Sequence, residues 1–317
     1  MDHFATTSIF PNSGETVLGE TMWKAPGGKG ANQAVQAARL GADVTMVGKL
    51  GKDGNGQEMI YACNNAGIDT SHVLFDDELA TGGSFIILEK NEDASTSNRI
   101  IVIPGANMSL HPDDVAFLED TIGLYDIVIL QMEIPMEINL LVAKYAFAAN
   151  VPVMLNPAPS AALPSELIKK LTFISPNEHE AFNLTGINIV NEQDSFQLEY
   201  ARDSALVLYK RGVKNVIITL GCRGAVSLNS NGFCYSPSIK GTCAIDPTAA
   251  GDSFVASFCC ASCIGMNIED ALCFANFAAS LTVSKPGAMP SLPTLDEIDQ
   301  HLLNHNKMLP LLYRLRN

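Results

Sequence analysis

Positive charge is scarce in this chain: 20 Lys and Arg stand against 34 Asp and Glu, a formal net charge of −14 over 317 residues. A nucleic-acid binder needs a basic face to meet phosphates, and this balance argues against one. An anionic substrate would have to be attracted by local groups rather than by the global field. Long apolar runs are lacking too. The longest nearly uncharged stretch after Asp252 runs from Ser253 to Asn267, and its serines, glycine and asparagine leave it too short and mixed to span a bilayer. The opening "MDHFATTSIFP" has neither a basic start nor an apolar run, unlike a secretory signal. A cytoplasmic location is therefore expected, with the nucleus as the alternative. Eight cysteines show no framework spacing. Cys259, Cys260 and Cys263 contain one CxxC, but in a small, apolar, helix-like run that suits buried reduced thiols better than zinc or redox chemistry. There is no internal repeat and no low-complexity segment. A hydrophobic fraction of 47% describes a well-filled globular core.

From about residue 125 the pattern alternates. The runs "DIVIL", "VPVML", "LTFIS" and "NVIIT" have strand length and are separated by helix-like stretches, which predicts βαβ units and a parallel sheet covered on both faces. Earlier, "ETVLG", "GGSFIILEK" and "RIIVIPGAN" read as short β segments without helices to pair with, a small antiparallel layer attached to the main body. "HPDDVAFLEDTI", "NIEDALCFANFAASL" and "TLDEIDQHLLNHN" carry helical periods. Polar residues follow four of the parallel strands: Glu133, Asn156, Asn177 and Thr219. In open α/β sheets ligands bind outside those carboxyl ends, so a crevice is expected there.

Two glycine-rich segments and one acidic helix start carry the chemistry. "APGGKGANQAVQAARLG" (25–41) turns helical from about Ala31 to Leu40, with Gly41 as its cap; Gly27, Gly28 and Gly30 allow close approach, and Lys29 and Asn32 add donors. It lacks the GxxxxGK[ST] spacing of a Walker A loop, and it would equally serve as a tight turn before a packed helix. "VIITLGCRGAV" either cradles a nucleotide or joins two strands at the sheet edge. "VGKLGKDGNG" imitates a dinucleotide fingerprint only loosely, which argues against a dehydrogenase. In "DPTAAGDSF" a helix starting near Gly251 would leave the N–H groups of Ala249, Ala250 and Gly251 as an anion hole, with Asp252 beside it to take a proton from an attacking hydroxyl. The residues alone equally allow Asp252 to be an ordinary carboxylate favourable to the helix dipole.

"GGKGANQA" together with "DPTAAGDSF" resembles the paired signatures of the ribokinase family, the pfkB-type carbohydrate kinases. "GETVLG", "VGKLGKDGNG", "IPGAN", "NPAP", "PNEHEAFNLTG", "ITLGCRG" and "KPGAMPS" occur in the family's order, so the similarity covers nearly the whole chain. It implies a three-layer α/β/α domain over 1–317 with a mostly parallel central sheet, and a β lid inserted at about 14–25 and 82–105. It implies ATP-dependent phosphorylation of D-ribose at O5 with Mg²⁺ and K⁺, in a homodimer joined through the lids. A sister kinase for deoxyribose or another sugar, or an impaired sugar-binding form, is the alternative. Asp2, Gly28, Lys29, Asn32 and Glu133 match the residues that hold the sugar, and Asp252 matches the general base. Ala249, Ala250 and Gly251 match the anion hole. Asn177, Thr219, Leu220, Gly221, Cys222, Arg223, Gly224, Gly251 and Asn276 match the nucleotide site, and Glu180 the residue that organises Mg²⁺ through water. Asp246, Thr248, Thr282, Lys285, Gly287 and Ser291 match positions around a monovalent cation.

The family opens with an apolar strand running into Gly-x-x-Asn-x-Asp, whose last Asp matches Asp2. That places the first strand upstream of Met1. The expectation is a poorly stable, weakly active chain with Asp2 loosely held on a free terminus.

Overall fold

A residue run buried on both faces should be apolar throughout, and "NVIIT" shows why. In a computed structural model of the chain, which describes residues 1–90, 96–190 and 196–316, Val216 and Ile218 point into one core while Ile217 points into another. Val153 and Leu155 likewise oppose Met154. Layers on both sides of the sheet therefore replace the polar alternation of a half-exposed strand.

The strands are β1 (Asp2–Thr7), β2 (Gly19–Ala25), β3 (Thr45–Gly51), β4 (Asp69–Asp76), β5 (Thr81–Lys90) and β6 (Thr96–Gly105), then β7 (Val128–Leu130), β8 (Val153–Leu155), β9 (Phe173–Ile174), β10 (Asn215–Thr219), β11 (Gly224–Asn229) and β12 (Gly232–Pro237). The helices are α1 (Lys29–Arg39), α2 (Gly54–Asn65), α3 (Leu118–Thr121), α4 (Met136–Ala148) and α5 (Ser165–Ile168), then α6 (Glu178–Thr185), α7 (Leu198–Lys210), α8 (Ala250–Cys263), α9 (Ile268–Val283) and α10 (Leu295–Asn304). A six-stranded sheet has the order β12-β11-β10-β9-β8-β7, parallel from β7 to β10 and antiparallel beyond. Helices α4 and α7 pack on one face, α8, α9 and α10 on the other.

A second sheet, β2-β1-β5-β6, is the small layer expected from the sequence, with one correction. Its second strand is β1, which the sequence reading did not include in that layer and which pairs antiparallel with β2 and parallel with β5. Asp2 is accordingly not loose. It is buried, and Ser84 Oγ donates to its Oδ1 at 2.6 Å.

β3 and β4 form a separate parallel pair around α2, a βαβ unit that the loose glycine fingerprint concealed. Asp53 caps α2 by accepting from Gly56 N–H at 2.8 Å and also binds Thr81, so its role there is structural. Among the described residues β3 pairs with β4 alone and β7 with β8 alone. Their other edges face a common cavity, crossed by Tyr125 Oη donating to Thr45 Oγ1 at 3.2 Å. No helix among the described residues is long and apolar enough to cross a membrane.

Candidate active site

Helix α1 begins two residues earlier than its sequence suggests, because Gly28 adopts φ 93° and turns the chain into the helix at Lys29. Gly27 is required for a different reason. A Cβ there would stand 1.8 Å from Asp2 Oδ2, so only glycine lets the loop lie against that carboxylate.

Residues 31–37 of α1 are all buried, among them the polar Asn32, Gln33 and Gln36. These face α8. Asn32 Nδ2 donates to Asp252 Oδ2 at 2.9 Å, and Gln33 Nε2 to Asp252 Oδ1 at 3.0 Å. Ser253 Oγ donates to Gln36 Oε1 at 3.2 Å. Gln33 also donates to Asn156 Oδ1 at 3.2 Å and accepts from Gln131 Nε2 at 2.6 Å. Its two amide hydrogens and its carbonyl are all engaged. The acceptor Oδ1 of Asn32 is buried with no protein partner among the described residues, an unmet group facing the cavity. Phe254, Val255, Phe258 and Cys259 bury the rest of α8, and at roughly 1.5–3 kcal/mol for each large side chain they anchor the turn that carries Asp252.

Helix α8 starts at Ala250, with Ala249 as its N-cap in the left-handed conformation, φ 62°. This amends the expected anion hole. Ala250 N–H is committed to Pro247 C=O at 3.2 Å, while Gly251 and Asp252 N–H have no backbone acceptor among the described residues. A Cβ on Gly251 would meet nothing within 4 Å, so the approach is open.

Four carboxylates, Asp2, Glu133, Glu180 and Asp252, surround one ammonium, Lys29. Burial pulls Lys29 down, but the carboxylates outweigh it and hold its pKa above the ordinary value. Glu133 accepts from Lys29 N–H at 3.3 Å. Burial raises Glu133, Glu180 and Asp252 above the usual carboxylate range; for Asp252 the opposing pull of Lys29, Asn32 and Gln33 does not cancel it. The excess of negative charge suits a cation, and without one it would repel a polyphosphate.

The expected nucleotide residues divide. Asn177 and Thr219 bridge neighbouring strand ends and line the cavity beside Glu180. Asn177 caps α6 in a reciprocal pair with Glu180, whose two oxygens accept Asn177 N–H at 2.9 Å and Nδ2 at 3.1 Å. Leu220, Gly221, Cys222 and Arg223 form the turn from β10 into β11, so "ITLGCRG" does join two strands. Leu220 is buried, and Arg223 lies 4.0 Å from Glu178 and over the Phe196 ring. Gly224 backs onto Ser236 C=O, and Asn276 Nδ2 donates to the same carbonyl at 3.2 Å.

Asp246 ties the expected cation loop together. Its Oδ1 accepts from Thr248 N–H at 2.9 Å and its Oδ2 from Gly287 N–H at 2.8 Å. Thr282 and Ser291 are buried, their hydroxyls bound to Ala278 and Ala288 carbonyls. Lys285 turns outward to Glu297. Among the described residues no His, Cys, Asp and Glu side chains cluster as metal ligands. Of the clustered cysteines, Cys259 and Cys260 are buried as expected, but Cys263 is exposed.

A doubly covered α/β sheet, with a buried carboxylate beside open helix-start N–H groups at its strand ends, defines a protein that binds a small polar ligand next to an anion. Residues 1–295 match the pfkB family of carbohydrate kinases, and the chain belongs to that family. It is similar to the ribokinase of Staphylococcus aureus, 39% identical over 302 residues and covering 95% of this chain and 96% of that one. It is also similar to the Salmonella typhi deoxyribokinase, 29% identical over 303 residues and 95% of each chain. The structure of Arabidopsis thaliana ribokinase complexed with ribose and ATP superimposes with a TM-score of 0.82 at 32% identity, over 95% of both chains.

Proposed function

We propose that the chain is an ATP-dependent sugar kinase that phosphorylates D-ribose at O5, giving ribose 5-phosphate. The carrying observation is Asp252, buried, with each carboxylate oxygen held by an amide and with Gly251 N–H open beside it. Asp2, Gly28, Lys29, Asn32 and Glu133 receive the sugar hydroxyls, and the unmet Asn32 Oδ1 accepts one of them. Asp252 takes the proton of the primary hydroxyl as that oxygen attacks the γ-phosphorus and ADP leaves. The N–H groups of Ala249 and Gly251, with Lys29, meet the charge on the transferring phosphoryl group.

Asn177, the 219–224 turn and Asn276 hold the nucleotide. Kinases of this kind use ATP with a divalent metal. Here Glu180 and Asn177 would hold Mg²⁺ through water, and when bound it neutralises the β- and γ-phosphate oxygens. K⁺ enclosed by Asp246, Thr248, Thr282, Lys285, Gly287 and Ser291, chiefly through carbonyls, would order the loop behind the anion hole. The 1–317 chain works as one domain with lid segments at 14–25 and 82–105, in the cytoplasm. Two copies pair through the lids, where Ile100, Ile101, Val102 and Ile103 of the edge strand β6 stand exposed.

The test is ADP release with ribose, deoxyribose, fructose and adenosine, each in K⁺ and in Na⁺. Ribose in K⁺ is expected to be fastest. A rate independent of the sugar supplied would overturn the kinase reading. Deoxyribose as the best substrate would replace ribose with the activity of the Salmonella relative.

A further inference from the structure

Of the four carboxylates around Lys29, two are held by amides: Asp252 by Asn32 and Gln33, and Glu180 by Asn177. Asp2 and Glu133 flank the turn from Gly27 to Lys29 instead. Asp2 lies against Gly27, and Glu133 Oε2 accepts from Lys29 N–H at 3.3 Å. Among the described residues each of this pair has a single hydrogen-bond donor, Ser84 Oγ for Asp2 and Lys29 N–H for Glu133, and neither forms an ion pair. A carboxylate offers about four acceptor sites. Most of the acceptor capacity of both groups is therefore open to a ligand in the cavity they line.

The charge of Lys29 does not answer this pair. Of the carboxylates that raise the Lys29 ammonium, Asp252 acts most strongly and Asp2 least. Burial lifts Glu133 above the usual carboxylate range, Lys29 pulls it back, and the charges of Asp252 and Asp2 push it further up. This end of the crevice thus keeps an excess of negative charge. A neutral sugar supplies it with hydroxyl donors but no charge, and an anionic sugar would be repelled. A ligand bearing an ammonium supplies both a donor and the missing charge. The fold has already taken the two carboxylates out of bulk water, so only the ammonium itself must be desolvated.

Taking the sugar site proposed above as given, we infer that it binds a cationic polyol, a pentose analogue whose ring oxygen is replaced by a protonated nitrogen, in preference to the neutral ring of the same shape, and rejects sugar acids. Asp2 and Glu133 then select for charge as well as receiving hydroxyls. Glu133 is the sharper selector, because Asp252 and Asp2 both bear on it and its own donor is a neutral N–H.

The test is calorimetric binding to the full chain near neutral pH, without nucleotide or Mg²⁺, so that no turnover is needed. The probes are D-ribose, D-ribonate, imino-D-ribitol (a pyrrolidine with the ribose hydroxyl pattern) and anhydro-D-ribitol (the tetrahydrofuran of the same shape). The pyrrolidine should bind at least about tenfold more tightly than the tetrahydrofuran, and ribonate at least about tenfold more weakly than ribose. Glu133→Gln keeps the shape and an acceptor but removes the charge, and should bring the two rings to within about threefold of each other. Equal binding of the rings, tighter binding of the tetrahydrofuran, or a preference unchanged by Glu133→Gln would overturn the inference and leave the kinase reading standing. Ribonate bound as tightly as ribose would do the same. Failure of ribose and of both rings to bind would overturn the sugar site and the inference together.

Discussion

On one side of the crevice, Asp252, Asn32, Gln33 and Gln131 come from α8, α1 and the end of β7, and side-chain hydrogen bonds hold them to one another. On the other side, Leu220 to Gly224 is a turn within one hairpin, shaped by backbone geometry and half open to solvent. The first wall depends on elements distant in sequence, and the Gln33 amide in it is shared among three partners, so it cannot be removed without leaving buried groups unmet. The second tolerates changes of side chain, because carbonyls and N–H groups set its form. Specific chemistry should therefore be fragile on the first wall and robust on the second.

The sharpest contrast is expected at Asp252. Asp252→Asn should lower kcat by roughly 10²–10⁴-fold, the usual worth of a general base, and leave the KM values for sugar and ATP nearly unchanged. Steady-state kinetics retaining more than half the activity would remove Asp252 from that role.

Gln33→Leu should follow. A hydrogen bond to a charged group contributes about 1.5–3 kcal/mol, so kcat should fall about 10- to 150-fold. The pH profile gives the sign. Burial already raises the Asp252 carboxyl, and Gln33 is one of the groups pulling it back. Activity needs the ionised form and is lost as pH falls through that pKa. Losing the donor must move the acidic limb of kcat/KM to higher pH, and an unmoved limb would make Gln33 merely structural.

Gly27→Ala should act on binding instead. Its Cβ would displace the Asp2 carboxylate, and overpacking of about 1–3 kcal/mol predicts a ribose KM raised about tenfold with ATP KM unchanged. Equal KM values would show that the two groups do not meet.

The smallest effect belongs to the other wall. Arg223 and Glu178 are both partly exposed and 4.0 Å apart. Such pairs contribute ~0.2–1 kcal/mol, so Arg223→Ala should change ATP KM by less than about fivefold. A hundredfold loss would mean that this wall, too, depends on single side chains.

The two walls also differed in how legible they were. Lys29, Asn32 and Asp252 stand out because glycines or a helix start flag them. Gln33 does not, because a glutamine inside a helix usually faces water. Only the burial of seven consecutive α1 residues reveals it. The parallel strands from β7 to β10 were readable because burial on both faces makes them uniformly apolar. β1 was not: "DHFATT" mixes polar and apolar residues, and its pairing with β5 spans about eighty residues of chain. At Ala250 the local turn was not legible, since a left-handed Ala249 directs that N–H to Pro247 C=O in a way that residue types do not announce.

That left-handed alanine has a cost and a use. An L-residue held there gives up roughly 1–2 kcal/mol, whereas glycine would escape the steric cost but lose more chain entropy on folding, about 0.5–1 kcal/mol. The steric cost is the larger, so stability favours glycine at position 249 by up to about 1.5 kcal/mol. Stiffness favours alanine. With alanine, the peptide leading into α8 has few alternative conformations, and the open N–H groups at the helix start are held in place. Stiffness at position 249 therefore comes with a small loss of stability.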